Sequence, residues 1–151
     1  MHDIQIRRLE ASACHDWSKL LQESRREGYR HIDRLTEAYR NGTNRFDREG
    51  ELLLAAEIGG ELAGIGGLNG TPLPAVGRVR RVYVSPEFRR RGVARTLMQA
   101  LIASAGPAYG RLVLRTDNPA ACALYESLGF RSVQGEEGIT HELNLMKDIG
   151  G

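Results

Sequence analysis

At 151 residues the chain has the length of one ordinary domain, and 41% hydrophobic against 26% charged residues allow a core of useful size. A formal net charge of +2 rules out a global polycation, and the longest apolar run, Leu52–Ala56, is too short to span a bilayer. Two cysteines, Cys14 and Cys122, make neither a disulfide framework nor a metal-ligand cluster, so no metal is expected. The start, Met1 to Ile6, has no apolar h-region, so no signal peptide is expected and the setting is read as reducing and cytoplasmic.

The elements follow in chain order. Asp3–Leu9 alternates polar and apolar residues and predicts a strand. Cys14–Glu27 predicts a helix with Trp17, Leu20 and Leu21 on one side, ended by Gly28. Ile32–Arg40 predicts a second helix, stopped by Asn41-Gly42. Leu52–Ile58 and Glu61–Leu68 predict two strands, and Gly59-Gly60 between them is a two-residue hairpin turn. A Gly/Pro-rich turn, Asn69–Pro74, leads to a strand over Arg78–Val84, which Pro86 stops.

The strongest helix signal comes next. Val93, Leu97, Met98, Leu101, Ile102 and Ala105 form one apolar face over three turns, ended by Gly106-Pro107. Arg111–Thr116 predicts a short strand. Pro119–Leu128 predicts a helix with Ala120, Ala123, Leu124, Ser127 and Leu128 toward the core and Gly129 as its C-terminal cap. Phe130–Val133 and His141–Met146 predict closing strands. The expected class is α+β: a single mixed, mostly antiparallel sheet of about seven strands with helices on both faces, in the order β-α-α-β-β-β-α-β-α-β-β. No repeat or linker divides the chain, so residues 1–151 read as one domain. The β-α-β part should be a right-handed parallel crossover.

Charge is concentrated between Arg78 and Arg95, where seven arginines face one acid, Glu87. Within it, Val82-Tyr83-Val84-Ser85-Pro86-Glu87-Phe88-Arg89-Arg90-Arg91-Gly92-Val93-Ala94-Arg95 runs from a strand through a basic loop into the best helix. A helix start exposes unpaired N–H groups and the positive end of the macrodipole, which together suit a phosphate. Gly92 lets the backbone approach a bulky anion, and Ala94 leaves the first turn uncrowded. No Walker loop is present, and Gly64-Ile65-Gly66-Gly67 is followed by Pro72 and Pro74 rather than by a helix, so it reads as a closely packed strand.

The series Val84-x-Pro86-x-x-Arg89-x-x-Gly92-x-Ala94 resembles the Arg/Gln-x-x-Gly-x-Gly/Ala pyrophosphate loop of the GNAT acyltransferase superfamily. Downstream, Asn118-x-x-Ala121-x-x-Leu124-Tyr125-x-x-Leu128-Gly129-Phe130 is similar to that family's second hallmark. The resemblance implies an acetyl-CoA-dependent N-acetyltransferase that moves an acetyl group onto a primary amine by direct attack in a ternary complex. It implies that backbone N–H groups of Arg90, Arg91, Gly92, Val93, Ala94 and Arg95 hold the CoA pyrophosphate. Arg89 belongs to the same loop, and the strand Val82-Tyr83-Val84 would pair with the pantetheine arm. Asn118 would bond that arm, with helix capping as its alternative role. Tyr125 would protonate the departing thiolate, since a phenol near pKa ~10 can donate to a thiolate whose acid has a pKa near ~8.5.

Many members carry a glutamate before the loop as base, whereas this chain reads Gly77-Arg78-Val79-Arg80-Arg81. The base is therefore open among Glu57, Asp117, Glu136, Glu137 and a water chain, while nothing in the sequence pairs His31 or His141 with a nucleophile. The acceptor is expected between Arg25–Arg34 and Gln134–Thr140, where the acid pair Glu136 and Glu137 would suit a cationic amine. Two rivals stand beside the enzyme: a non-catalytic acyl-CoA-binding module, and a nucleic-acid binder, which would need exposed aromatics beyond Tyr83 and Phe88. Acetyl-CoA and an amine are the expected partners, with no nucleic acid or membrane; a homodimer is common in the family.

Overall fold

A computed structural model describes residues 3–13 and 15–145; the expectations placed on Cys14 and Met146 lie outside these. Strand β1 (Ile4–Arg8) is followed by helices α1 (Ser18–Arg26) and α2 (His31–Asn41). Strands β2 (Leu52–Ile58), β3 (Glu61–Gly70) and β4 (Val76–Val84) come next, then helix α3 (Val93–Ala105). Strand β5 (Arg111–Leu114), helix α4 (Pro119–Ser127) and strands β6 (Arg131–Ser132) and β7 (His141–Asn144) complete the order. The seven strands form one sheet in the order β1-β2-β3-β4-β5-β7-β6. Every pairing is antiparallel except β4 with β5, which is parallel. This is the expected mixed sheet.

Two apolar clusters explain why β2 is a continuous hydrophobic run. Leu52, Leu54, Ala56 and Ile58 face α3 on one side of the sheet, while Leu53 and Ala55 face α1 and α2 on the other. A strand covered on both faces has no need of a polar alternate. Gly59 and Gly60 both have positive φ, 58° and 81°, as a two-residue turn matched to strand twist requires.

Several boundaries and one helix face differ from expectation. Helix α1 begins at Ser18, because the Asp16 carboxylate accepts from the Ser18 N–H at 3.0 Å and holds the preceding residues in a turn. Strand β3 runs on to Gly70, whose N–H donates to Glu51 Oε2 at 2.9 Å. On α4, Ala120, Ala123 and Ser127 are exposed. The buried residue is Tyr125, flanked by Ala121, Leu124 and Leu128. Burying an aromatic ring removes far more surface from water than burying a methyl group, so the tyrosine turns the helix toward Phe130, 5.9 Å away between ring centres.

The glycine-rich part of β3 is there for packing. A Cβ on Gly67 would lie 2.3 Å from Cε1 of the buried Phe46. We expect Gly67→Ala to overpack this face, cost about 1–3 kcal/mol and lower the melting temperature by several degrees. A thermal melt indistinguishable from wild type would contradict this tight contact.

Candidate active site

Strands β4 and β5 pair only over Val76–Arg78 and Arg111–Val113. Beyond Arg78 the two strands separate, and among the described residues the β5-facing edge of β4 has no strand partner from Val79 to Val84. A cleft of about 1320 Å³ opens along this separation. Its walls come from β4, the start of α3, the end of β5, the start of α4, and the α1–α2 connection. Opposite Gly66, β4 carries an extra residue: Gly67 pairs with Arg80 and Ile65 with Tyr83, leaving Arg81 and Val82 in the bulge. Arg81 has φ of 60°, an uncommon conformation for a side-chain-bearing residue, and bulges of this kind cluster beside functional sites.

The loop from β4 to α3 is a short 3-10 turn, Pro86–Phe88, followed by two left-handed residues, Arg90 (φ 65°) and Gly92 (φ 80°). Gly92 is the N-cap of α3. Among the described residues, none of the N–H groups of Arg90, Arg91, Gly92, Val93, Ala94 and Arg95 has an acceptor within the protein, and the first intrahelical bond runs from Thr96 N–H to Gly92 O at 2.9 Å. Six consecutive free donors with the positive end of a 13-residue helix behind them have the local chemistry that suits an anion. A Cβ on Gly92 would meet nothing within 4 Å, so the glycine answers to the positive φ rather than to crowding by the protein.

The arginine side chains divide their work. The Arg89 guanidinium donates to both oxygens of Glu27 at 2.7 and 2.6 Å, bonds Val84 O at 3.2 Å through Nε, and lies over the Tyr83 ring. The Tyr83 hydroxyl donates to the same carboxylate. Glu27 is thereby held below the usual carboxylate range, chiefly by Arg89, and burial together with this acceptor pushes Tyr83 up. Arg89 thus fastens the loop to α1. Arg91 lies over Phe88 at 5.6 Å and is absent from the cleft wall, whereas Arg95 bonds Ser127 Oγ at 2.8 Å and the Arg90 side chain has no partner among the described residues. Tyr83 and Phe88 are both about 5% exposed, so neither offers the exposed stacking platform that single-stranded nucleic acid would use.

The Glu27 link predicts a pH effect. A carboxylate with a depressed folded-state pKa stabilises the fold above its unfolded value, near ~4.3, and that stability is lost as pH falls through the folded value. Both partners keep some exposure, so solvent screening limits the contribution to about 1 kcal/mol or less. We expect Glu27→Gln to melt below wild type at pH 7 and the gap to close toward pH 3. A gap that does not change with pH would contradict the assignment.

On α4, Asn118 is a side-chain N-cap: its carbonyl oxygen accepts from the N–H groups of Ala120 at 2.9 Å and Ala121 at 3.4 Å. Its amide NH2 stays free, and the residue lines the cleft. The Tyr125 ring is 8% exposed and also lines the cleft, and its hydroxyl has no hydrogen-bond partner among the described residues. Burial, with a smaller effect of Cys122, pushes its pKa up to about 12, so the phenol is protonated at neutral pH and free to donate. Cys122 packs beside Glu126 and His141, with potential ligand atoms within 4.8 Å of one another. The buried imidazole there is held on both nitrogens, by Thr140 Oγ1 at 2.9 Å and Glu126 Oε2 at 3.2 Å.

Of the possible bases, Asp117 and His31 line the cleft. Glu57 pairs with Arg7 and lies in a different depression, beside Leu62. Glu136 pairs with Arg111, and neither it nor Glu137 reaches the cleft wall, so the loop acids do not form a cationic-amine site there. His31 stacks on Tyr29 with 5.6 Å between ring centres. Desolvation at the cleft wall, then the guanidinium groups of Arg81 and Arg34, hold its imidazole below the ordinary value. Glu27, Tyr29 and Arg34 fall in the Arg25–Arg34 segment and Arg81 in the arginine cluster, but their individual places at the cleft come only from folding; the Glu27–Arg89 pair spans 62 positions.

A family model described as the acetyltransferase (GNAT) family matches residues 14–130. The chain is similar to the N-alpha-acetyltransferase RimI of Mycobacterium tuberculosis, 38% identical over 82 residues, 53% of this chain and 52% of that protein. The chain therefore spans about half the length of that curated relative. Among solved structures, a candidate acetyltransferase from Exiguobacterium sp. 255-15 is 31% identical with a TM-score of 0.83, covering 94% of this chain and 93% of that one. The yncA structure from Salmonella typhimurium with its cofactor acetyl-CoA shares the fold, with 18% identity and a TM-score of 0.69 over 97% of this chain and 96% of that one.

Proposed function

Because the chain belongs to the acetyltransferase (GNAT) family, we propose that it transfers the acetyl group of acetyl-CoA to a primary amine by direct attack in a ternary complex. One observation carries this reading. Five of the six residues with unpaired N–H groups at the start of α3, namely Arg90, Gly92, Val93, Ala94 and Arg95, line the same cleft as buried Tyr125, whose hydroxyl has no partner among the described residues.

The pyrophosphate of acetyl-CoA binds the N–H groups of Arg90 through Arg95, where the helix dipole adds to the hydrogen bonds. Arg90 is free to add a side-chain contact, while Arg89 and Arg91 shape the loop. The open edge of β4 at Val82, Tyr83 and Val84 takes the pantetheine arm as an added strand would be taken, and the free amide of Asn118 reaches it from the opposite wall. The acetyl-CoA thioester supplies the electrophilic carbonyl. A free N–H on the edge of β4 polarises that carbonyl. The amine nitrogen forms the new bond to it, the C–S bond breaks, and Tyr125 donates its proton to the departing sulfur. The amine proton leaves toward the wall that carries His31 and Asp117. No resident metal is needed for these steps. We read residues 1–151 as one domain and the setting as cytoplasmic, in keeping with the free thiol of Cys122.

Calorimetric titration with acetyl-CoA tests the donor site, with CoA and ATP as controls. Binding at micromolar Kd or tighter, without comparable ATP binding, is the expected result, followed by thiol release on addition of an amine acceptor. Tight acetyl-CoA binding with no thiol release across a broad amine panel would move the reading to a non-catalytic acyl-CoA-binding module. Absence of binding by folded protein would remove the donor site itself.

A further inference from the structure

The end of the cleft away from α3 is built from arginines. Arg34 of α2, Arg78, Arg80 and Arg81 of β4 and Arg115 after β5 all line it, against a single carboxylate, Asp117. Arg78 donates to Gly138 O at 3.0 Å, and Arg115 lies 3.9 Å from Asp117. Arg34, Arg80 and Arg81 have no side-chain partner in the protein among the described residues. Arg81 is half-buried on its bulge, and the guanidinium groups of Arg80 and Arg34 act on it, so that burial and like charge together hold its own pKa below the ordinary arginine value.

Gathering three unpaired cations and drawing one partly out of water is unfavourable unless an anion completes the site. The donor's phosphates do not serve. A strand rises about 3.3 Å per residue, which places Arg80 and Arg81 roughly 10–13 Å before Val84 along β4, on the far side of Val84 from the α3 loop. In acetyl-CoA every phosphate lies on the adenosine side of the pantetheine arm. With the pyrophosphate on the α3 loop, the thioester points toward the arginines and the phosphates point away.

We propose that the amine acceptor also carries an anionic group, a carboxylate or a phosphate, held by Arg34, Arg80 and Arg81. The inference rests on the donor assignment above and names the acceptor class for that same site. Planar guanidinium groups bind either anion in a two-point manner, so the acceptor is fixed in direction as well as position. The amine is then delivered to the thioester beside the bulge, with the anion turned away from the donor phosphates. This also gives a physical reason for the absence of an acid on β4. A carboxylate among these arginines would neutralise the group that selects the acceptor.

Matched acceptors test the proposal, with acetyl-CoA saturating and thiol release as readout. L-Alanine and L-glutamate are set against ethylamine, 2-aminoethylphosphonate against propylamine, and spermidine serves as the polycation. At least one amine carrying an anionic group should exceed its match lacking that group by about 10-fold or more in kcat/KM, and the carboxylate and phosphonate arms separate the two anions. Arg81→Asn keeps a residue that tolerates the left-handed backbone, and Arg34→Gln changes an exposed helix position. Each should raise KM for the anionic amine about 10-fold while the acetyl-CoA Kd stays within about 3-fold. Preference for an amine without an anionic group or for spermidine, no turnover of any anion-bearing amine by protein that binds acetyl-CoA, or unchanged KM in both variants would overturn the acceptor class and leave the donor site standing. Failure to bind acetyl-CoA would remove both.

Discussion

Replacing Gly92 with glutamate is expected to abolish acetyl-CoA binding, by 100-fold or more in Kd, in a protein that still folds. The substitution places a negative charge at the N-terminus of α3, where the pyrophosphate is expected. Two unit charges about 4 Å apart at an effective dielectric near 20 repel by about 4 kcal/mol before salt screening, and 100-fold needs about 2.7 kcal/mol. The side chain also fills the space over the free N–H groups, because nothing in the protein lies within 4 Å of a Cβ there. That same open space means the fold itself is not clashed. The residual cost is the φ of 80°, roughly 1–2 kcal/mol for a side-chain-bearing residue. Gly92→Asn controls for it, since asparagine accepts left-handed backbone without adding charge, and it should keep most of the affinity. Calorimetry on both variants decides the matter. Near wild-type binding by folded Gly92→Glu protein would place the pyrophosphate elsewhere.

Tyr125→Phe should lower kcat by about 100-fold or more while acetyl-CoA Kd changes by less than about 3-fold. General acid catalysis by a positioned side chain is worth about 10²–10⁴-fold, and a hydroxyl that acts on the leaving sulfur in the transition state contributes to kcat rather than to ground-state binding. The phenol is suited to the task because burial pushes its pKa up to about 12, so it holds its proton across the neutral range. The variant has a second signature. The hydroxyl has no partner among the described residues, so its removal breaks no bond there, and phenylalanine keeps the ring packed against Phe130. The melting temperature should therefore equal or slightly exceed that of wild type. A kcat within a few-fold of wild type would exclude Tyr125 as the acid, and a large loss of stability would show that the hydroxyl has a structural partner.

Parts of the fold were legible because they depend on neighbours in sequence. Gly59-Gly60 supplies two positive-φ residues between apolar runs, and the β2–β3 hairpin follows directly. The apolar series from Val93 to Ala105 admits only a helix, and that helix is α3. Asn118-Pro119 is both a cap and a first-turn proline, and the cap bonds are present at 2.9 and 3.4 Å. The face of α4 was not legible. Small residues at Ala120, Ala123 and Ser127 suit a core as well as they suit solvent, and only the position of Phe130 makes Tyr125 the inward residue.

The division has a physical basis. By itself the sequence determined most of the elements and the loop that opens α3 at Gly92, because turn chemistry, helical periodicity and capping act over a few residues. Only the tertiary structure decided that β4 and β5 separate after Arg78, that Arg89 pairs with Glu27, and that Glu136 pairs with Arg111. It also decided that Arg34 and His31 from α2 meet Arg80 and Arg81 across one cleft. These outcomes depend on charges and strand edges brought together across tens of residues, where the partner of a charged side chain is set by the packing of whole elements and leaves no mark in local spacing.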